Sequence, residues 1–144
     1  MPSVPQLEVE EVRQFLLDRT ACDNELLDAL EMDDDTILAG MKHCCDLFNT
    51  THPLVAFFDP TEPEKFPYRS EMLMYVAYFC LQAKALNKLR NSSGVTTQGG
   101  TTINDRETWG NYLNVARTWL EDVKRQFILI KRNINTETGY GITI

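Results

Sequence analysis

Histidine is scarce in this chain: His43 and His52 are the only two, and no Gly-x-Ser-x-Gly turn accompanies them. Nucleophilic catalysis needs a base and an orienting group beside the nucleophile, so the sequence offers no triad and no enzyme is expected. A Walker lysine is also missing. Ser92-Ser93-Gly94 and Gly99-Gly100 share only their composition with a phosphate loop and lack its strand–loop–helix setting. The four cysteines (Cys22, Cys44, Cys45 and Cys80) follow no disulfide framework, and 144 residues can build a core without bridges. Reduced thiols in an intracellular protein are the expectation. No basic amino terminus leads into an apolar run with a small-residue cleavage site, so no secretory leader is expected. The longest apolar run, Met72 to Leu81, is half of the roughly 20 residues that cross a bilayer. No membrane role is implied.

Basic residues are also in the minority, 14 Lys and Arg against 21 Asp and Glu, for a net charge of −7. That balance argues against the whole molecule being a nucleic-acid binder. The deficit is unevenly spread. Residues 1–65 hold 15 acids and 4 bases, a net of −11, whereas residues 66–144 hold 6 acids and 10 bases, a net of +4. Charge asymmetry speaks to partners rather than to fold, and a subunit that stacks on copies of itself has a use for it. The basic portion comprises Lys84, Lys88 and Arg90 with Lys124, Arg125, Lys131 and Arg132. These residues either meet an acidic partner surface or passing DNA, or are solvated helix faces complementing helix C-termini.

Two clusters invite a metal reading, and both have simpler accounts. Asp33-Asp34-Asp35 lacks the glycine and the distal glutamate of a calcium loop; three acids opening a helix are explained by capping and the helix dipole. His43, Cys44 and Cys45 are neighbours about 100° apart on a helix and cannot share one tetrahedral ion, and no second ligand pair exists at zinc spacing. Cys44 falls on an apolar stripe, which predicts a buried thiol. No metal and no cofactor is implied.

What the chain does contain is helical periodicity. A first helix is expected around Leu7 to Asp18 with Val9, Val12 and Leu16 on one face, and a short second segment after Asp23 with Leu26, Leu27 and Leu30. A third opens at the aspartate run, where Ile37, Met41, Cys44 and Phe48 recur at gaps of 4, 3 and 4. His52-Pro53 ends it. Leu54 to Phe58 suits a brief strand, inside a stretch that Pro60, Pro63 and Pro67 make mainly loop. A fourth helix, capped by Ser70 and running to about Asn91, is apolar on every side in its first half and is expected to be central. Asn104 and Glu107 form a capping-box pattern for the last helix. Its seam of Trp109, Leu113, Ala116, Leu120, Val123, Phe127, Ile130 and Ile134 steps regularly by 4 and 3. Such a helix outreaches a compact domain of this size, so part of it should meet something else. Between these two helices, threonines flank Gly99-Gly100 as in a small β-hairpin or loop.

The fold expected is therefore all-α: a small helical bundle over residues 1–135 with a long C-terminal helix, a short hairpin-like loop, and an extended tail over 136–144. The tail carries Gly139-Tyr140-Gly141, and Ile142 and Ile144 alternate as in a strand added to a sheet edge. Loop and tail are poor in apolar side chains, so both are expected to gain order from a partner. The candidate partner-binding residues are Val95, Thr97, Gly99, Gly100 and Thr101 in the loop, Lys131 and Arg132 on the helix, and Tyr140, Ile142 and Ile144 in the tail.

Several blocks together resemble a family of virion structural proteins, the small head–tail connector (adaptor or neck) proteins of tailed bacteriophages. The blocks are Val12-Arg13-Gln14-Phe15-Leu16-Leu17-Asp18, Asn24-Glu25-Leu26-Leu27-Asp28, Asp46-Leu47-Phe48-Asn49 ahead of Pro53, and Phe66-Pro67-Tyr68-Arg69. Leu86 to Asn91, Gly99-Gly100 with the polar residues after it, and Lys131 to Gly141 complete the series. The resemblance implies a mostly helical subunit without catalysis, assembled with copies of itself in a ring on the portal protein and joining neighbouring neck or tail proteins. Such a ring lines the path of double-stranded DNA without reading its sequence, and its location is the virion. The acidic amino half departs from that pattern and counts against DNA gripping by the surface it forms. The alternative from the residues alone is a small intracellular helical adaptor or regulatory protein that binds one partner through its long C-terminal helix.

Overall fold

The computed structural model describes residues 7–16, 33–91 and 105–138. Four helices account for most of them: α1 (Val9–Phe15), α2 (Asp34–Thr50), α3 (Arg69–Asn91) and α4 (Asp105–Thr138). A 3-10 turn at Pro63–Lys65 interrupts the connection from α2 to α3. Among the described residues there is no strand. Leu54 to Phe58 is irregular backbone, so the brief strand expected there does not form. The hairpin-like loop, the segment with Leu26, Leu27 and Leu30, and Cys22 lie outside the described residues.

Each helix opens and closes where its chemistry directs. Asp33 is the N-cap of α2, its carboxylate accepting from the Thr36 N–H at 2.8 Å. Hydrogen bonding from Thr36, its side chain first and this N–H second, holds the Asp33 carboxyl below its ordinary pKa. The Asp33–Asp35 run is thus a cap and dipole partner, as read from the sequence. α2 stops at Thr50, ahead of the cis His52–Pro53 bond. α3 starts at Arg69 rather than after Ser70, with the Met72 N–H donating to the Tyr68 carbonyl, so Ser70 lies inside the first turn instead of capping it. α4 runs to Thr138, three residues into the stretch assigned to an extended tail. Thr136 sits in this last turn, its hydroxyl donating to the Arg132 carbonyl at 2.9 Å, and helical bonding carries the chain past it.

α2 and α3 run antiparallel. Gly40 meets Phe79, Cys44 feels Glu71, and Phe48 stacks on Tyr68 at 5.4 Å, so ascending α2 descends α3. α4 then closes the bundle. Its positions 116, 123 and 127 are buried against the core, and Leu113, Leu120, Ile130 and Ile134 are half-buried beside them. From Leu113 to Ile134 the heptad-like seam therefore is the inner face of α4. α3 contributes Met72, Val76, Ala77, Cys80 and Ala85, all buried, as expected of the central helix. Phe79 lies against α2, stacked on His43 at 5.3 Å.

The densest part of the core is aromatic. Phe48, fully buried, touches Phe66 at 5.3 Å, Phe58 at 5.5 Å and Phe127 at 5.1 Å between ring centroids, mostly edge to face. Such pairs add about 0.5–1.5 kcal/mol each beyond area burial. This cluster joins α2, the proline-rich connection and α4 at one end of the bundle. α1 is tied on by charge as well as by Val12, which is fully buried. Glu11 pairs with Arg69 of α3, and the buried Arg13 pairs with Asp34 of α2 at 2.5 Å. Cys44 and Cys45 are buried, and burial raises both thiols, Cys45 to about 11. They are inert, apolar side chains here.

Candidate functional site

The chain leaves α2 at Thr50 and doubles back over the aromatic end of the bundle, and one side chain fixes that path. Asn49 donates from Nδ2 to the Phe58 carbonyl at 2.7 Å and accepts the Phe58 N–H on Oδ1 at 2.9 Å. An amide matched to a backbone donor and acceptor acts as a one-residue substitute for a sheet ladder. Within the loop so held, Ala56 adopts φ 55°, a left-handed conformation that costs a non-glycine residue strain and is kept by its surroundings. Val55 is buried on one side of it, while Leu54 and Phe57 stand out in solvent at 47% and 64% exposure.

Beneath this loop lies Lys131. It follows Phe127 by one turn on α4, and its side chain is fully buried. Its ammonium lies 4.5 Å from the Phe48 ring centroid, 5.4 Å from that of Phe57 and 3.5 Å from the Asn49 carbonyl. Among the described residues it meets no carboxylate. Aromatic faces and one carbonyl satisfy the ammonium only in part, and burial pushes its pKa down to about 8. Lys131 was expected to contact a partner, and this is a correction: a side chain with no exposed surface cannot. The expectation failed because one-turn spacing from Phe127 puts Lys131 on the buried flank of α4, a position that a basic residue next to Arg132 disguises.

Arg132 is placed differently. It is exposed on the rim of a groove of about 360 Å³ formed with Leu47, Thr50, Thr51, His52, Lys124 and Ile128. α2 lines the groove with Leu47 and α4 with Ile128, and the three basic side chains His52, Lys124 and Arg132 line it beside them. Lys124 touches Glu121 at 3.5 Å, a solvated pair one turn apart that neutralises little of its field. A lining of apolar and basic side chains suits an occupant that brings an apolar side chain and a carboxylate together. A second cleft of similar volume, between α3 and α4, is lined by Glu71, Asp122 and Arg125 and has no such sign preference.

The other candidate residues, Val95, Thr97, Gly99, Gly100, Thr101, Tyr140, Ile142 and Ile144, lie outside the described residues. Sequence reasoning missed the Asn49 clamp and the outward Phe57. The only signal for either was Asn49 at the end of a helix ahead of a proline. Among the described residues no group of three or more His, Cys, Asp or Glu side chains gathers as metal ligands. No described helix is long and apolar enough to cross a membrane. No protein-family model, curated protein or solved structure matches this chain.

Proposed function

We propose that the chain is a structural protein of the tailed-phage neck, a ring-forming head–tail connector subunit that joins the portal to the tail and lines the DNA path without catalysis. The observation that carries the reading is α4 itself. It has 34 residues, about 51 Å at 1.5 Å per residue, and its core-facing side is only part of its apolar surface. Tyr112, Val115, Ile128 and Leu129 stand 38–47% exposed on it. Exposed apolar side chains on an elongated helix outside the core are what subunit contacts use. Together with the blocks that resemble the connector family, this supports a subunit whose α4 flanks abut copies of itself and the portal protein. The exposed Arg125 and Arg132 on the same helix would meet neighbouring neck proteins or passing double-stranded DNA through phosphate contacts alone. The site of action in this reading is the head–tail junction of the virion.

Native mass spectrometry tests it. The protein alone, and then mixed with tailed-phage portal and neck proteins, should yield a closed oligomer of fixed copy number or join one. A monomer that ignores those proteins and forms a one-to-one complex with a cellular protein would replace the reading with a small helical adaptor.

A further inference from the structure

The cationic groove is an anomaly in a chain of net charge −7. Arg132 meets no carboxylate among the described residues, and Lys124 has only its solvated contact with Glu121. What fits is an element presenting a carboxylate next to an apolar side chain, and the chain carries one at the opposite end of the same helix. In the opening turns of α2, Asp35 and Leu38 are both exposed, Leu38 at 40%. Three residues apart on a helix, they share a face. Asp34 is engaged by Arg13, whereas Asp35 has no ion pair among the described residues.

Leu38 and Leu47 are nine residues apart on α2, about 14 Å along its axis. A copy therefore cannot fill its own groove with its own Leu38. Nine residues are also two and a half helical turns, so the two patches face opposite sides of α2 and do not meet reciprocally along one face; such a pair favours a heterologous contact, and its repetition closes a ring or extends a filament. We propose that Leu38 of one copy seats over Leu47 and Ile128 of the next, with Asp35 against Arg132 and Lys124. The charge split of the whole chain has the same sense, an acidic amino half meeting a basic carboxyl half. This inference deepens the connector reading and rests on it for closure of the contact into a ring.

Charge reversal on the full chain tests the contact. Asp35→Arg and Arg132→Glu alter exposed residues, so both variants should stay folded. Arg132→Glu should keep the wild-type melting temperature, whereas Asp35→Arg gives up a dipole partner at the start of α2 and should melt slightly lower. Sedimentation velocity across a concentration series at low salt should show wild-type self-association that weakens as salt rises. Each single variant should associate about tenfold or more weakly, the scale of a close interfacial charge pair. The double variant carrying both reversals in one chain should regain association, since its new arginine faces its new glutamate. Single variants that associate like wild type, or a double variant that stays dissociated, overturn the contact. If those variants form the wild-type oligomer, the contact is wrong and the ring reading stands. A wild type that stays monomeric alone and with neck proteins sinks both.

Discussion

Replacing Lys131 with methionine should stabilise this protein at neutral pH, and the size of the gain follows from where the ammonium sits. Lys131 is fully buried, and its pKa falls from 10.5 to about 8 because burial disfavours the charged form. At about 1.36 kcal/mol per pH unit, holding the charge at pH 7 costs about 3 kcal/mol. The Phe48 and Phe57 rings return roughly 1 kcal/mol through cation–π attraction, which leaves a penalty of about 2 kcal/mol. Methionine has nearly the same reach and no charge, so Lys131→Met should raise the unfolding free energy by about 1–2 kcal/mol at pH 7. Linkage fixes the sign with pH. Between pH 8 and 10.5 the unfolded chain holds the Lys131 proton and the folded chain does not, so wild-type stability rises relative to the variant across that window. Above it the two should converge. Cys45 above about pH 9 and Tyr75 above about pH 10 work the opposite way, because burial raises them to about 11 and about 12 in the folded state. The difference between wild type and variant is therefore the quantity to follow. Urea unfolding at intervals from pH 7 to pH 10.5, with m-values compared, measures it. A variant less stable than wild type at pH 7, or a difference that does not shrink toward pH 10.5, would show that Lys131 is paired rather than merely buried.

The two described glycines should respond in opposite senses to alanine. At Gly40 a methyl group would lie 3.1 Å from a ring carbon of Phe79, which is itself held on His43, so Gly40→Ala should cost about 1–3 kcal/mol by overpacking. At Gly110 a methyl group meets nothing within 4 Å, and inside α4 alanine should add about 0.5–1 kcal/mol by propensity alone; thermal melts of the two variants falling on the same side of wild type would contradict this. Asn49→Ala removes both bonds that hold Phe58 and should cost about 1–3 kcal/mol. Hydrogen exchange at the Phe58 amide should then accelerate while the α3 core stays protected, and unchanged exchange there would mean that the loop is held by something other than Asn49.

Much of the architecture was legible in the order of residues, because helical periodicity, caps and breakers are local. The stripe of Ile37, Met41, Cys44 and Phe48 predicted which face of α2 is buried, Asp33 predicted its start, and His52-Pro53 its end. The seam on α4 was legible for the same reason. The sequence alone also determined the charge split. Tertiary structure decided what depends on neighbours distant in the chain. Lys131 reads as one more surface base until Phe48 and Phe57, more than seventy residues earlier, are brought over it. Phe79 packs on α2 because Gly40, by having no side chain, lets the two helices come close there. Arg132, next to Lys131 in sequence, stays in water because one residue is a rotation of about 100° on a helix. The groove it borders exists only where the end of α2 crosses α4, which no local pattern encodes.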